Sequence, residues 1–148
     1  MLRKAGYNNA AMWKRIIPLL WVAGILLPVA YIVQYWPPAR QAFDWVFGPL
    51  WMHVLTHAFL FAALAYLAAA TLGWPLFGHA RWPMVLGVLG LVLAAALLQE
   101  GIQLAYKARP VMADDVLDIG VDLAGGLVGL GLYLLRQGPL RGLAGGRR

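Results

Sequence analysis

The sequence predicts an all-α integral membrane protein, a bundle of four transmembrane helices with both termini on the cytoplasmic side. Three observations carry that prediction. The 148 residues are 62% hydrophobic and only 12% charged, with a mean hydropathy of +0.71, whereas a soluble domain of this size needs about a quarter of its residues charged to cover its surface. Four stretches are apolar for the roughly 20 residues that a hydrocarbon core demands. The twelve Lys and Arg are sorted by side of the membrane rather than spread over a surface.

The first stretch runs from about Ile16 to Trp36 and follows a basic N-terminus. It is too long for the apolar region of a signal peptide, and Tyr35-Trp36-Pro37-Pro38 is a poor cleavage site. It reads as an uncleaved anchor, with Tyr31, Tyr35 and Trp36 in the interfacial aromatic belt. The second stretch spans about Leu50 to Leu72, the third about Trp82 to Leu104 and the fourth about Leu117 to Leu135. Breakers separate them: Pro37-Pro38 after the first, Gly73-Trp74-Pro75 after the second and Gly138-Pro139 after the fourth. No long polar segment intervenes, so residues 1–148 read as one membrane domain.

Orientation follows from the positive-inside rule. The N-terminus (Arg3, Lys4, Lys14, Arg15), the second loop (Arg81) and the tail (Arg136, Arg141, Arg147, Arg148) hold nine of the twelve cations. The first loop (Arg40) and third loop (Lys107, Arg109) hold three and face outward. The net charge of +6 therefore belongs to membrane edges, not to a nucleic-acid groove. With no cysteine, disulfides and thiolate metal sites are excluded.

Polar groups inside the spans gather at the outer side. His53 and His57 open the second helix, Gln99, Glu100 and Gln103 close the third, and Asp118 and Asp122 open the fourth. Helical spacing aligns Glu100, Gln103 and Lys107 in one stripe and Asp115, Asp118 and Asp122 in another. The second stripe continues into Gly125, Gly126 and Gly129, a small-residue face on which a neighbour, expected to be the third helix, can pack closely. Plain structural explanations compete. Asp114, Asp115 and Asp118 suit a helix N-terminus, the histidines could snorkel to the interface, and Lys107 and Arg109 could pair with nearby aspartates in solvent. Glu100 resists such a reading, because the apolar run from Val85 to Leu98 places it within its span.

Glu100-x-x-Gln103, then Arg109, then Asp118-x-x-x-Asp122-x-x-Gly125 with a further Gly129, resembles the signature of the VanZ-like membrane family. His57, in His57-Ala58-Phe59-Leu60-Phe61, matches that family's histidine segment, and the resemblance covers about residues 53–135. The stretch from Arg109 to Asp118 is about three residues longer than the family pattern, Asp122 stands where Asn is usual, and His53 where Asp is frequent. The resemblance implies a multi-pass bacterial inner-membrane protein of the cell envelope. The family is named for a protein associated with low-level resistance to the glycopeptide teicoplanin.

Three functional readings remain open. In the first, His57, Glu100, Gln103, Arg109, Asp118 and Asp122 form an outward pocket for a membrane lipid or lipid-linked precursor, without a cofactor, Arg109 and Lys107 taking an anionic group. In the second, His53 and His57, four apart on one helix face, join a carboxylate in the metal site of a membrane hydrolase or transferase. In the third, the chain is an accessory subunit of a larger membrane complex, and its polar cluster only locks helix packing. A proton pathway is disfavoured, because the inner halves of the spans lack ionisable residues for a relay.

Overall fold

A computed structural model describes residues 16–27, 29–73 and 81–144. The N-terminal cations Arg3, Lys4, Lys14 and Arg15, the Trp74-Pro75 break, and Arg147 and Arg148 lie outside the described residues. The rest is helical, with no strand among the described residues. In chain order the helices are α1 (Ile16–Leu26), α2 (Val29–Val33), α3 (Pro37–Phe47), α4 (Leu50–Ala68), α5 (Arg81–Lys107) and α6 (Ala113–Ala144), and α4 ends in a π-helical turn, Ala69–Gly73.

Three segments are long and apolar enough to cross a membrane: Leu50–Leu72, Arg81–Lys107 and Ala113–Gln137. Their apolar windows are only 33%, 28% and 28% buried within the chain. The remainder lies outward, with Leu55, Phe59, Leu86, Leu97, Leu127 and Leu132 each more than half exposed. Water would penalise such a surface at about 25 cal/mol per Å², whereas lipid tails solvate it. The chain is a membrane protein.

The expected first span is not one helix. α1 stops at Leu26, one residue before Leu27-Pro28, as a proline's restriction of its predecessor requires. Side-chain contacts fix its course. Trp21 Nε1–H donates to the Leu60 carbonyl at 2.9 Å, halfway along α4, and the Tyr31 ring stacks on Tyr106 at 4.6 Å, near the end of α5. Pro37-Pro38, read from sequence as a stop, is a start as well: both residues open α3, where a missing N–H costs nothing.

One stripe per long helix builds the core. On α5 it is Met84, Val88, Val92, Ala96 and Glu100, at a repeated spacing of four. On α4 it is His57, Phe61, Leu64, Ala65 and Ala68. Glu100 and His57 are thus buried by helical phase: each continues an apolar stripe with a polar residue.

α4 and α6 form the closest pair, and they run parallel. His53 pairs with Asp118 and His57 with Asp122, each 65 residues apart. The glycine contacts lie on the same pair of helices. A Cβ at Gly125 would strike the Ala58 backbone, and one at Gly129 the Ala62 backbone. This corrects the expected partner: Gly125 and Gly129 pack on α4, not on α5. Ala58 and Ala62 have the same spacing of four, so two small-residue faces meet and the backbones touch. Gly126 faces α5 instead, where a Cβ would come within 2.8 Å of Val92 Cγ1. α6 also runs past Gly138-Pro139 to Ala144, beyond the expected end near Leu135.

Gly125→Leu and Gly129→Leu should each cost more than about 2 kcal/mol, because backbone cannot yield as a side chain can. Gly131, with nothing within 4 Å of its would-be Cβ, is the control, and Gly131→Leu should stay within about 0.5 kcal/mol. Unfolding midpoints in detergent measure the difference, and equal midpoints would refute the assigned contact.

Candidate functional site

The polar residues of α4, α5 and α6 collect where α4 and α6 begin and α5 ends. Two rungs join α4 to α6. In the inner rung His57 Nδ1 lies 2.9 Å from Asp122 Oδ1, with side chains 6% and 0% exposed. In the other His53 Nε2 lies 3.2 Å from Asp118 Oδ2, and His53 is 40% exposed. Spacing of four on both helices places one rung a turn from the other, so the imidazoles lie side by side, tilted 45° to one another with centroids 4.5 Å apart. The inner rung is buried because the glycines a turn further along draw the helices together.

Glu100 comes from the third side. It is 3% exposed and receives one hydrogen bond, from Gln103 Nε2 to Oε1 at 3.3 Å. Lys107 extends that stripe, donating to Gln103 Oε1 at 2.9 Å. Glu100 continues the α5 stripe whose Val92 packs on Gly126 of α6, so it lies on the bundle side of α5. Three buried acceptors have no partner among the described residues: Gln99 Oε1, Glu100 Oε2 and Asp122 Oδ2. An unmet carboxylate oxygen in a low-dielectric interior costs several kcal/mol, so each requires a proton, water, cation or donor.

Arg109 departs from expectation. It is not free to take an anionic group in the pocket but forks onto Asp115, Nη1 to Oδ2 at 2.8 Å and Nη2 to Oδ1 at 2.7 Å. Asp115 also accepts the Met112 N–H at 2.7 Å. Met112 caps α6 and Asp115 is the third helical residue, so this is half of a capping box. The hydrogen bonds to Asp115 raise the Arg109 guanidinium above its ordinary pKa, so it stays charged. Ala108, with φ of 46° in the left-handed region, ends α5 and turns the chain towards this clasp. Asp115 is only 3% exposed, whereas the sequence offered it as a helix-dipole charge or a partner for Arg109 in solvent, not as a buried one. The six-residue separation from Arg109 across a tight turn was the available signal.

The sequence-selected residues therefore divide. His57, Asp118 and Asp122, together with His53, form one bonded ladder, Glu100 and Gln103 border it, and Arg109 is committed to Asp115. Gly125 and Gly129 are scaffold. His53, His57 and Asp118 also offer one ligand atom each within 4.8 Å of one another. No family model, curated protein or solved structure matches the chain.

Asp122→Ala should destabilise the protein by about 3 kcal/mol, because it leaves a buried imidazole unpaired. The double variant His57→Leu/Asp122→Leu should cost less than that single truncation, since no polar group is left stranded. A double-mutant cycle in detergent reads the coupling, and simple additivity would show that the inner rung is not an interacting pair.

Proposed function

We propose that the chain is a VanZ-like protein of the bacterial inner membrane whose outward polar site takes the headgroup of a lipid or lipid-linked envelope component. One observation carries this reading: Gln99 Oε1, Glu100 Oε2 and Asp122 Oδ2 are buried acceptors without donors among the described residues, at the end of the bundle where two helices begin and a third ends. Acceptors select donors. The favoured headgroup therefore bears hydroxyls or an amine, as sugars and aminoalcohols do. An anionic group is secondary, since Arg109 is held by Asp115 and only exposed Lys107 stands at the rim. Binding would be stoichiometric and need no turnover.

The same reading places four crossings with both termini in the cytoplasm. The fourth crossing is the broken stretch Ile16 to Trp36. α1 alone rises only about 16 Å, half a hydrocarbon core. Its contacts support a crossing: Trp21 sits at the depth of Leu60 and Tyr31 at that of Tyr106, so the stretch climbs towards the polar end. The parallel course of α4 and α6 requires both to enter from one side, which agrees with the distribution of cations. α3, with Trp45 83% exposed and Arg40 paired to Asp44, then lies along the outer interface.

Gently extracted protein should retain a hydroxyl- or amine-headed lipid at close to one per chain, read by native mass spectrometry. Glu100→Gln should lower retention about tenfold, equivalent to ~1.4 kcal/mol, while the protein stays folded. A lipid content no different from the bulk membrane would overturn the reading. Capture in a large complex without such a lipid would favour an accessory subunit instead.

Alkaline phosphatase fused after Arg148 should be inactive, since it folds only outside the cytoplasm. The chain has no cysteine, so a single Asn8→Cys variant in intact cells should resist a membrane-impermeant thiol reagent. Labelling at position 8 with an inactive C-terminal fusion would mean an odd number of crossings.

A further inference from the structure

The two rungs have a chemical property that lipid binding does not use. His53, His57 and Asp118 each present a ligand atom, and all three atoms lie within 4.8 Å of one another. The His53 Nε2 to Asp118 Oδ2 separation of 3.2 Å is close to the ~3.3 Å between two ligands of a tetrahedral zinc ion with bonds of about 2.0 Å. Little movement is needed to seat an ion between them.

The buried rung supplies the arrangement that metal-binding histidines use. His57 Nδ1–H donates to Asp122 at 2.9 Å, which fixes the tautomer and leaves the lone pair on Nε2, as a carboxylate behind a ligand histidine does. Charge is the independent observation. Glu100, Asp118 and Asp122 are three carboxylates, and no Lys or Arg among the described residues bonds to them. Arg109 is clasped by Asp115, and Lys107 reaches only Gln103. Glu100 Oε2 and Asp122 Oδ2 are buried and unpartnered. Each of these two residues is more than nine-tenths buried. A dipositive ion would answer that surplus.

We infer that His53, His57 and Asp118 bind a divalent transition-metal ion of the zinc class, with Asp122 orienting His57 and Glu100 facing the fourth coordination position. Two imidazoles and one carboxylate favour zinc, cobalt or nickel over magnesium or calcium. Three protein ligands leave the fourth position to water or an incoming oxygen, and the Glu100 carboxylate is the group available to hydrogen-bond it. The metal reading draws on two of the acceptors that the headgroup reading uses, Glu100 Oε2 and Asp122 Oδ2, but its ligands are His53, His57 and Asp118, so either can fail without the other.

The test uses full-length protein carrying no polyhistidine tag, stripped with chelator in detergent and titrated with Co²⁺, then Zn²⁺. Wild type should take up one ion per chain, with the visible absorption of tetrahedral cobalt, which zinc abolishes. His53→Gln, at a half-exposed position that should not impair folding, and Asp118→Asn should each weaken binding about 100-fold. Asp122→Asn should weaken it 10- to 100-fold through His57. Arg136→Gln, whose guanidinium bonds Tyr66 towards the opposite end of α4, should bind as wild type does. Wild-type protein that takes up less than a tenth of an ion per chain, or a cobalt spectrum unchanged in His53→Gln and Asp118→Asn, would overturn the inference. Protonation of the histidines and Glu100 would then be what balances the cluster. Lipid retention is scored on the same samples, so loss of metal with lipid kept separates this failure from that of the headgroup reading.

Discussion

Asp122 has a short side chain, and it reaches the His57 ring only because nothing stands between the α4 and α6 backbones one turn further on. Gly125 and Gly129 lie directly against Ala58 and Ala62, and much of the bundle follows from that contact. It fixes the parallel register, sets two histidines opposite two aspartates and buries the inner rung. It also leaves α5 to cover the remaining side with Val88, Val92 and Ala96. In lipid there is little hydrophobic drive for one helix to leave the solvent and join another. Close packing and interhelical hydrogen bonds must do that work, and here they sit on adjacent turns of the same two helices.

The charges are arranged in two layers with different consequences. At the rim, Arg109, Asp115 and the Met112 N–H close on one another, so the turn between α5 and α6 is electrostatically self-sufficient. Below it, carboxylate oxygens outnumber their donors: Glu100 Oε2 and Asp122 Oδ2 have none among the described residues, where His57 is the one side chain that bonds Asp122. A structural strut would not need that excess. Replacement of Glu100 by a leucine in the α5 stripe would complete an apolar face already built from Met84, Val88, Val92 and Ala96. The acid at that position is what a binding role explains and packing alone does not.

Much of this was legible in the sequence, and the failures have identifiable causes. Hydropathy located the second and third spans to within a few residues, because about 20 apolar residues admit few alternatives in a membrane. Polar residues at the right helical phase marked His57, Glu100 and Asp122. The partner of the glycine face was misassigned because a short loop makes α5 the obvious neighbour of α6. The matching signal, Ala58 and Ala62 at the same spacing on α4, was present but looked like ordinary apolar sequence. Arg109 was given to an anionic ligand in the pocket, when an acid six residues away across a turn could hold it without burying the guanidinium. Pro37-Pro38 was taken as an end because proline breaks a helix from within, although it opens one equally well.

The parallel pairing of α4 and α6 also dictates an order of assembly. Helices that touch in parallel cannot be consecutive in the chain, so α4 must already lie in the membrane, with His57 unmatched, while α5 and then α6 are made. His57 and Glu100 wait in the bilayer for the last helix, and Asp122 enters opposite a partner already in place. The assembling chain is thus most exposed to error during the synthesis of a single span. A chain truncated between Lys107 and Asp122 would leave His57 buried in the bilayer without Asp122, its bonded partner.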